Sequence, residues 1–183
     1  WLVWRVDEEA SDEDTLVMTA RSGVWQAKKI LRWTQAGDPA SASARGFEIA
    51  MTVQLTNTSS QPVQGDLAVH FSRAVNPETE QKASLLGGVG NESKATCLVR
   101  EDLHQLVPEK DPPSPEDVTG PVSFFGIDQQ YFLGVVFPLT QAREGRCELI
   151  AAPTGRVAVG HFPITVQPGQ THTEHFGVYV GPK

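Results

Sequence analysis

The sequence lacks any run of apolar residues long enough to cross a bilayer as a helix, which takes roughly 18 to 20. Its longest apolar stretch, Tyr131 to Leu139, contains Gly134 and Pro138. Basic residues are scarce as well: 15 Lys and Arg against 22 Asp and Glu give a formal net charge of -7. With an isoelectric point near 5.2 and a mean hydropathy of -0.25, the chain reads as a globular protein with 39% hydrophobic residues. It lacks the cation clusters that bind phosphate backbones or anionic lipid, so no nucleic acid is expected as a partner. The chain opens on Trp1 with no basic n-region, so no secretory signal is expected within it. The chain starts in a strand-like segment, which predicts further sequence on either side of it.

Chemistry-bearing motifs are equally thin. There is no G-x-S-x-G elbow for a hydrolase serine. Gly87-Gly88-Val89-Gly90 is followed by no Gly-Lys-Ser/Thr and lacks the third glycine of a dinucleotide fingerprint, so it reads as a loop. Asn57-Thr58-Ser59 and Asn91-Glu92-Ser93 fit the glycosylation pattern, which has meaning only in a eukaryotic secretory setting. The acidic stretch holding Asp7, Glu8, Glu9, Asp12, Glu13 and Asp14 fails as a calcium loop. An EF-hand register from Asp12 puts Val17 where glycine is required and Gly23 where a bidentate Glu is required. A solvated hairpin loop is expected instead.

Only two cysteines occur, Cys97 and Cys147. Neither has a second Cys or a His at zinc-ligand spacing, so no metal site is expected. Two readings stay open for the pair: buried free thiols, or a disulfide if the chain sits in an oxidising compartment. The five histidines are His70, His104, His161, His172 and His175. His172 and His175 stand three apart on a strand-like segment, which sends them to opposite faces. No local pattern nominates a His–carboxylate acid–base pair, and no catalytic residue and no cofactor are expected.

What the sequence does have is period-two alternation. Phe47, Ile49, Met51, Val53 and Leu55 share one face. After the polar stretch Asn57 to Pro62, the residues Val63, Leu67, Val69 and Phe71 resume it, and the two runs predict a β-hairpin. Further strands are expected around Leu2 to Val6 and over Thr15 to Arg21, Lys28 to Thr34 and Thr96 to Arg100. Others are expected over Tyr131 to Phe137, Cys147 to Ala151, Val157 to Phe162 and His172 to Val180. Pro168 and Gly169 suit a type II turn between the last two. The best helical candidate is a single turn from Glu101 to Leu106, and Asp111 to Thr119 reads as a proline-rich exposed loop. Many short strands with frequent turns predict one all-β domain spanning residues 1–183, a twisted antiparallel two-sheet sandwich. The aromatics, including Phe124, Phe125, Tyr131, Phe132 and the four tryptophans, are expected mostly in the core, with a minority lining a groove.

Two segments resemble a known family. The first runs from Gly120 through Phe124-Phe125-Gly126 to Gln130-Tyr131-Phe132 and on to Pro138. The second is Gln167-Pro168-Gly169, followed by the last strand and Gly181-Pro182. Together with the Phe47 to Phe71 pattern around Asn57, they are similar to the large periplasmic domain of YidC-type membrane protein insertases of Gram-negative bacteria. The resemblance implies a supersandwich like that of galactose mutarotase, without enzymatic activity. It also implies a location on the periplasmic face of the inner membrane, with the insertase's own transmembrane domain elsewhere in the polypeptide. Expected partners are the SecD and SecF subunits of the translocon and unfolded or nascent membrane-protein segments. A sugar-active epimerase and a carbohydrate-binding module on the same sandwich are the alternatives, the first requiring a convergent His/Glu cleft and the second a row of exposed aromatics.

Overall fold

The computed structural model describes residues 2–33, 48–76, 93–107 and 115–183. Trp1, Phe47, the Gly87–Gly90 loop, Asn91 and residues 111–114 of the proline-rich segment lie outside them. Twelve strands and no helix occur among the described residues. The chain divides into two compact units.

The first unit comprises residues 1–66, 138–140 and 163–179. Its strands are β1 (Arg5–Val6), β2 (Thr15–Ser22), β3 (Trp25–Trp33), β4 (Glu48–Asn57) and most of β12 (Thr171–Pro182). They pair antiparallel in the order β1-β2-β3-β4-β12. The acidic stretch is the β1–β2 hairpin loop, pinned by a bond from Asp7 N to Val17 O of 2.9 Å. Gly23, at φ +55°, supplies the two-residue turn that sets Ser22 opposite Trp25. Alternation on β4 buries Met51, Val53 and Leu55, which join Val17, Ala27 and Phe176 in the core of this unit.

The second unit comprises residues 67–137, 141–162 and 180–183. It holds most of β5 (Val63–Ala74), together with β6 (Lys94–Val99), β7 (Asp102–Leu106) and β8 (Glu116–Asp128). β9 (Phe132–Pro138), β10 (Arg143–Ala152) and β11 (Gly155–Val166) complete it. The order is β9-β8-β10-β11-β5, with β6 paired to both β7 and β8. The long strand β8 pairs with β10 up to Val122 and with β6 and β9 beyond it. Gly120, at φ +150°, sits at this change of partner, where a Cβ would collide with the Arg100 side chain. Val99, Val122, Phe125, Leu149, Ala158 and Phe162 fill the core.

Four expectations need correction. The Phe47 to Phe71 pattern is not a hairpin: β4 pairs with β3 and β12, whereas β5 pairs with β11. Within the connection the Asn57 side chain bonds Ser59 and Gln61 O. Second, Asp102 to Leu106 of the expected helical turn form strand β7, entered through a two-residue turn at Arg100 and Glu101 with φ of 54° and 70°. Both residues occupy the left-handed region that such turns normally fill with Asn and Gly, so the turn carries no compositional signal. Third, residues 116–119 belong to β8 and not to a loop. Fourth, the aromatic core is made of Phe125, Phe162 and Phe176, while Trp4 and Trp25 are only half-buried and Trp33 is 45% exposed.

Candidate interaction site

The segments that carry the family resemblance meet at two places, one in each unit. In the first unit the meeting point is Asn57, which is fully buried. Its Nδ2 donates to Gln61 O at 2.7 Å and to Val166 O at 2.9 Å. Its Oδ1 accepts from Ser59 N at 2.9 Å and Ser59 Oγ at 2.7 Å. The Gln167-Pro168-Gly169-Gln170 turn closes by a bond from Gln170 N to Gln167 O, with Gly169 at φ +70° as a type II turn requires. Its backbone is then exchanged with Asn57: Gly169 N donates to Asn57 O at 2.9 Å, and Asn57 N to Gln170 O at 3.0 Å. One buried amide therefore bonds four groups, drawn from both connections.

In the second unit the meeting point is the β8–β9 turn. The polar run Asp128-Gln129-Gln130 ends β8, and Gln129 N donates to Phe132 O at 2.9 Å, which puts Gln130 and Tyr131 at the tip. Lys183 N donates to Tyr131 O at 3.1 Å, and Lys183 Nζ pairs with Asp128, which also accepts from Gln105 Nε2 at 3.1 Å. The turn is thus tied to the end of β12, where Gly181 is buried. Beside it lies a cleft of about 210 Å³ walled by Phe71, Ile127, Phe132 and Val180. With the Gln129 amide oriented so that its oxygen faces Arg73, it accepts from Arg73 Nε at 3.0 Å and Nη2 at 2.9 Å. Tyr131, Phe132 and Val180 remain 66%, 55% and 53% exposed. Large apolar side chains held in the open by a rigid turn form a patch suited to contact with another chain. The volume is below the roughly 300 to 1,000 Å³ of small-ligand sites, so it suits a side chain of a larger partner better than a whole free ligand.

The histidines are placed apart from this cleft. His161 Nε2 lies 3.0 Å from Glu148 Oε2, and His104 Nδ1 lies 3.3 Å from Glu116 Oε1. In the first unit His172 pairs with Glu174, and His175 Nδ1 lies 3.1 Å from Thr52 Oγ1 on the neighbouring strand. Arg146 bonds Asp117 and lies 3.7 Å from Glu148. These pairs are spread over several strands: His172 and Glu174 share β12, and His104 of β7 meets Glu116 of β8. Burial lowers the pKa of His70, nearby His161 lowers it further, and Glu148 partly opposes both. No group of three or more His, Cys, Asp or Glu is arranged to hold a metal among the described residues. Cys97 and Cys147 are both fully buried free thiols.

Of the residues that carried the resemblance, Gln167, Pro168 and Gly169 serve the Asn57 corner. Tyr131, Phe132 and Gly181 serve the β8–β9 end, with Gln130 at the turn tip and Pro182 exposed beside it. Pro138 closes β9. Arg73 and Gln129 were not expected at the cleft. The legible clue was the polar run Asp128 to Gln130 before Tyr131, which marks a turn and so exposes the aromatics that follow it.

The chain is 26% identical over 174 residues to the membrane protein insertase YidC of Anaeromyxobacter dehalogenans strain 2CP-C, and 25% identical to that of Anaeromyxobacter sp. strain K. Each match covers 95% of this chain and 29% of the relative, so the chain spans less than a third of their length. Among solved structures, a galactose mutarotase-like protein from Lactobacillus casei superposes with a TM-score of 0.63 at 8% identity, over 97% of this chain and 72% of that one. A galactose mutarotase related enzyme from Lactobacillus acidophilus gives 0.55 at 6% identity, over 97% and 70%. Such low identity establishes a shared fold and nothing about activity. The model of the YidC periplasmic domain family matches residues 40–183, and with that match over most of its length the chain belongs to that family.

Proposed function

We propose that residues 1–183 act as one non-catalytic domain on the periplasmic face of the inner membrane, within a larger membrane protein insertase. Its role is to hold partners near the insertase's own transmembrane domain. The observation that carries this reading is the family match over residues 40–183. The surface we assign to the role is the β8–β9 end, where Phe132 and Val180 flank a cleft with Arg73 and Gln129 at its polar edge. An extended apolar segment of a translocating chain, or an apolar side chain of SecD or SecF, would bury area there that water now covers. A sugar-active reading draws on fold likeness alone, and no histidine lines the cleft described above.

The test is a binding titration of the chain against purified SecD–SecF and against an unfolded membrane-protein segment. Saturable binding to either one, reduced by Phe132→Ser, is expected. No binding to either would overturn the partner assignment, and turnover of an aldose would overturn the non-catalytic one.

A further inference from the structure

We propose that the outer edge of β7 is a second interaction surface, which takes up an extended polypeptide segment as an added antiparallel strand. Among the described residues β7 pairs with β6 and with no other strand. The Arg100–Glu101 turn has two residues, both at positive φ, and closes on the pair Val99 and Asp102. In a hairpin turn of that length the flanking pair exchanges both backbone bonds. Alternation then directs the N–H and C=O of Asp102, His104 and Leu106 toward β6, and those of Leu103 and Gln105 away from it. The bond from Thr96 Oγ1 to His104 O at 3.2 Å agrees with that direction. Leu103 and Gln105 thus present four backbone groups on the outer side, the contacts by which a partner strand adds to a sheet.

The side chains of β7 define the occupant. Asp102-Leu103-His104-Gln105-Leu106 holds neither the lysine nor the proline that commonly guards an edge. The registers set Leu103 opposite Leu98 and Leu98 opposite Phe124, so one face carries an apolar row across β7, β6 and β8. Exposure rises along that row: Phe124 and Leu98 are half-buried, and Leu103 at the edge is 57% exposed. An apolar side chain opposite Leu103 extends the row by one strand and covers it. Glu101 and Asp102 are exposed at the turn end of the edge, while the nearby carboxylate of Glu116 is taken by His104. In an antiparallel partner the residue after the one facing Leu103 stands opposite Asp102. The segment that fits therefore carries an apolar residue followed by Lys or Arg. A second copy of this chain, with its own Glu101 and Asp102 and a net charge of -7, meets that demand poorly. The surface is separate from the one assigned above, because no residue lining the β8–β9 cleft belongs to β7.

The experiment titrates the 183-residue chain with a fluorescent, acetylated peptide of Val-Lys repeats and follows amide hydrogen exchange in parallel. Saturable binding is expected, with exchange at Leu103 and Gln105 slowed at least about tenfold. The same peptide N-methylated at every valine, or with glutamate in place of lysine, should bind at least about tenfold more weakly. Leu103→Pro removes an outward N–H and no bond to β6, so the variant should fold and lose about tenfold in affinity. Asp102→Lys should reverse the preference between the lysine and glutamate peptides, and it decides the matter if the proline variant does not fold. Phe132→Ser should change neither affinity. Absence of binding, protection at the β8–β9 turn in place of β7, or equal affinity for the N-methylated peptide would each overturn the proposal. So would a chain that dimerises through β7, since the occupant would then be a second copy.

Discussion

The Asn57 corner of the first unit and the Phe132 end of the second are built alike yet finished in opposite ways. Each joins a turn near one family segment to a stretch near another, and each does so with backbone bonds close to 3 Å. At the corner, every polar group of the Asn57 side chain is used inside the protein, and no large apolar group is offered outward. At the other end the polar groups serve as anchors beneath the turn, and Tyr131, Phe132 and Val180 are left to water. The first arrangement gains stability from completeness. The second gives some up, since exposed aromatics add nothing to the fold until something covers them. A shared motif therefore does not imply a shared role, and the difference lies in where the hydrogen bonds end.

The comparison can be broken most sharply at the corner. Asn57→Ala removes the donor to Val166 O and the acceptor of Ser59 N, while Gln61 O keeps its bond from Ser59 Oγ, and should cost about 3 kcal/mol of unfolding free energy in a urea titration. At the other end, Phe132→Ser should leave that titration nearly unchanged. It should weaken partner binding about tenfold, equivalent to about 1.4 kcal/mol, in the binding titration. A Phe132 variant that unfolds as readily as Asn57→Ala would erase the distinction. The β6–β7 turn sharpens the contrast from a third place. Glu101 holds φ +70° without being glycine, so Glu101→Gly should stabilise the chain by about 0.5 to 1 kcal/mol, read as a raised melting midpoint.

The smallest effect concerns His70. Its pKa is lowered, chiefly by burial and then by His161, so the unfolded chain binds the proton first as acid is added. Its contribution is whole above the ordinary value of 6.5 and is lost as pH falls through 6.5 toward the lowered folded value. His70→Gln should flatten that part of the stability–pH curve, and an unchanged slope would show that His70 does not set it.

Strand content was legible wherever alternation was clean, as along Met51, Val53 and Leu55, and turn chemistry was legible at Pro168-Gly169. Pairing was not. Alternation reports which face of β4 is buried but not which strand lies beside it, and a buried Asn at position 57 reads in sequence like any polar turn residue. The β6–β7 turn was invisible because Arg100 and Glu101 adopt backbone angles that their side chains disfavour. Strand β8 was mistaken in part for a loop, because Pro112, Pro113 and Pro115 signal a break just before the strand begins. The candidate site was half legible: Tyr131 and Phe132 stood out as motif residues, but their exposure depends on the turn tied to Lys183 some fifty positions later.

The most direct measurement places a photo-activated cross-linking residue at position 131 in one copy of the full insertase and at position 33 in another. Both positions carry an exposed aromatic residue, but only the first lies in the β8–β9 turn, next to Phe132 of the cleft wall. Adducts with Sec accessory subunits or a translocating chain from position 131, and few or none from position 33, are the predicted result. Equal labelling from both positions, or none from position 131, would contradict the assignment of partner binding to the β8–β9 end.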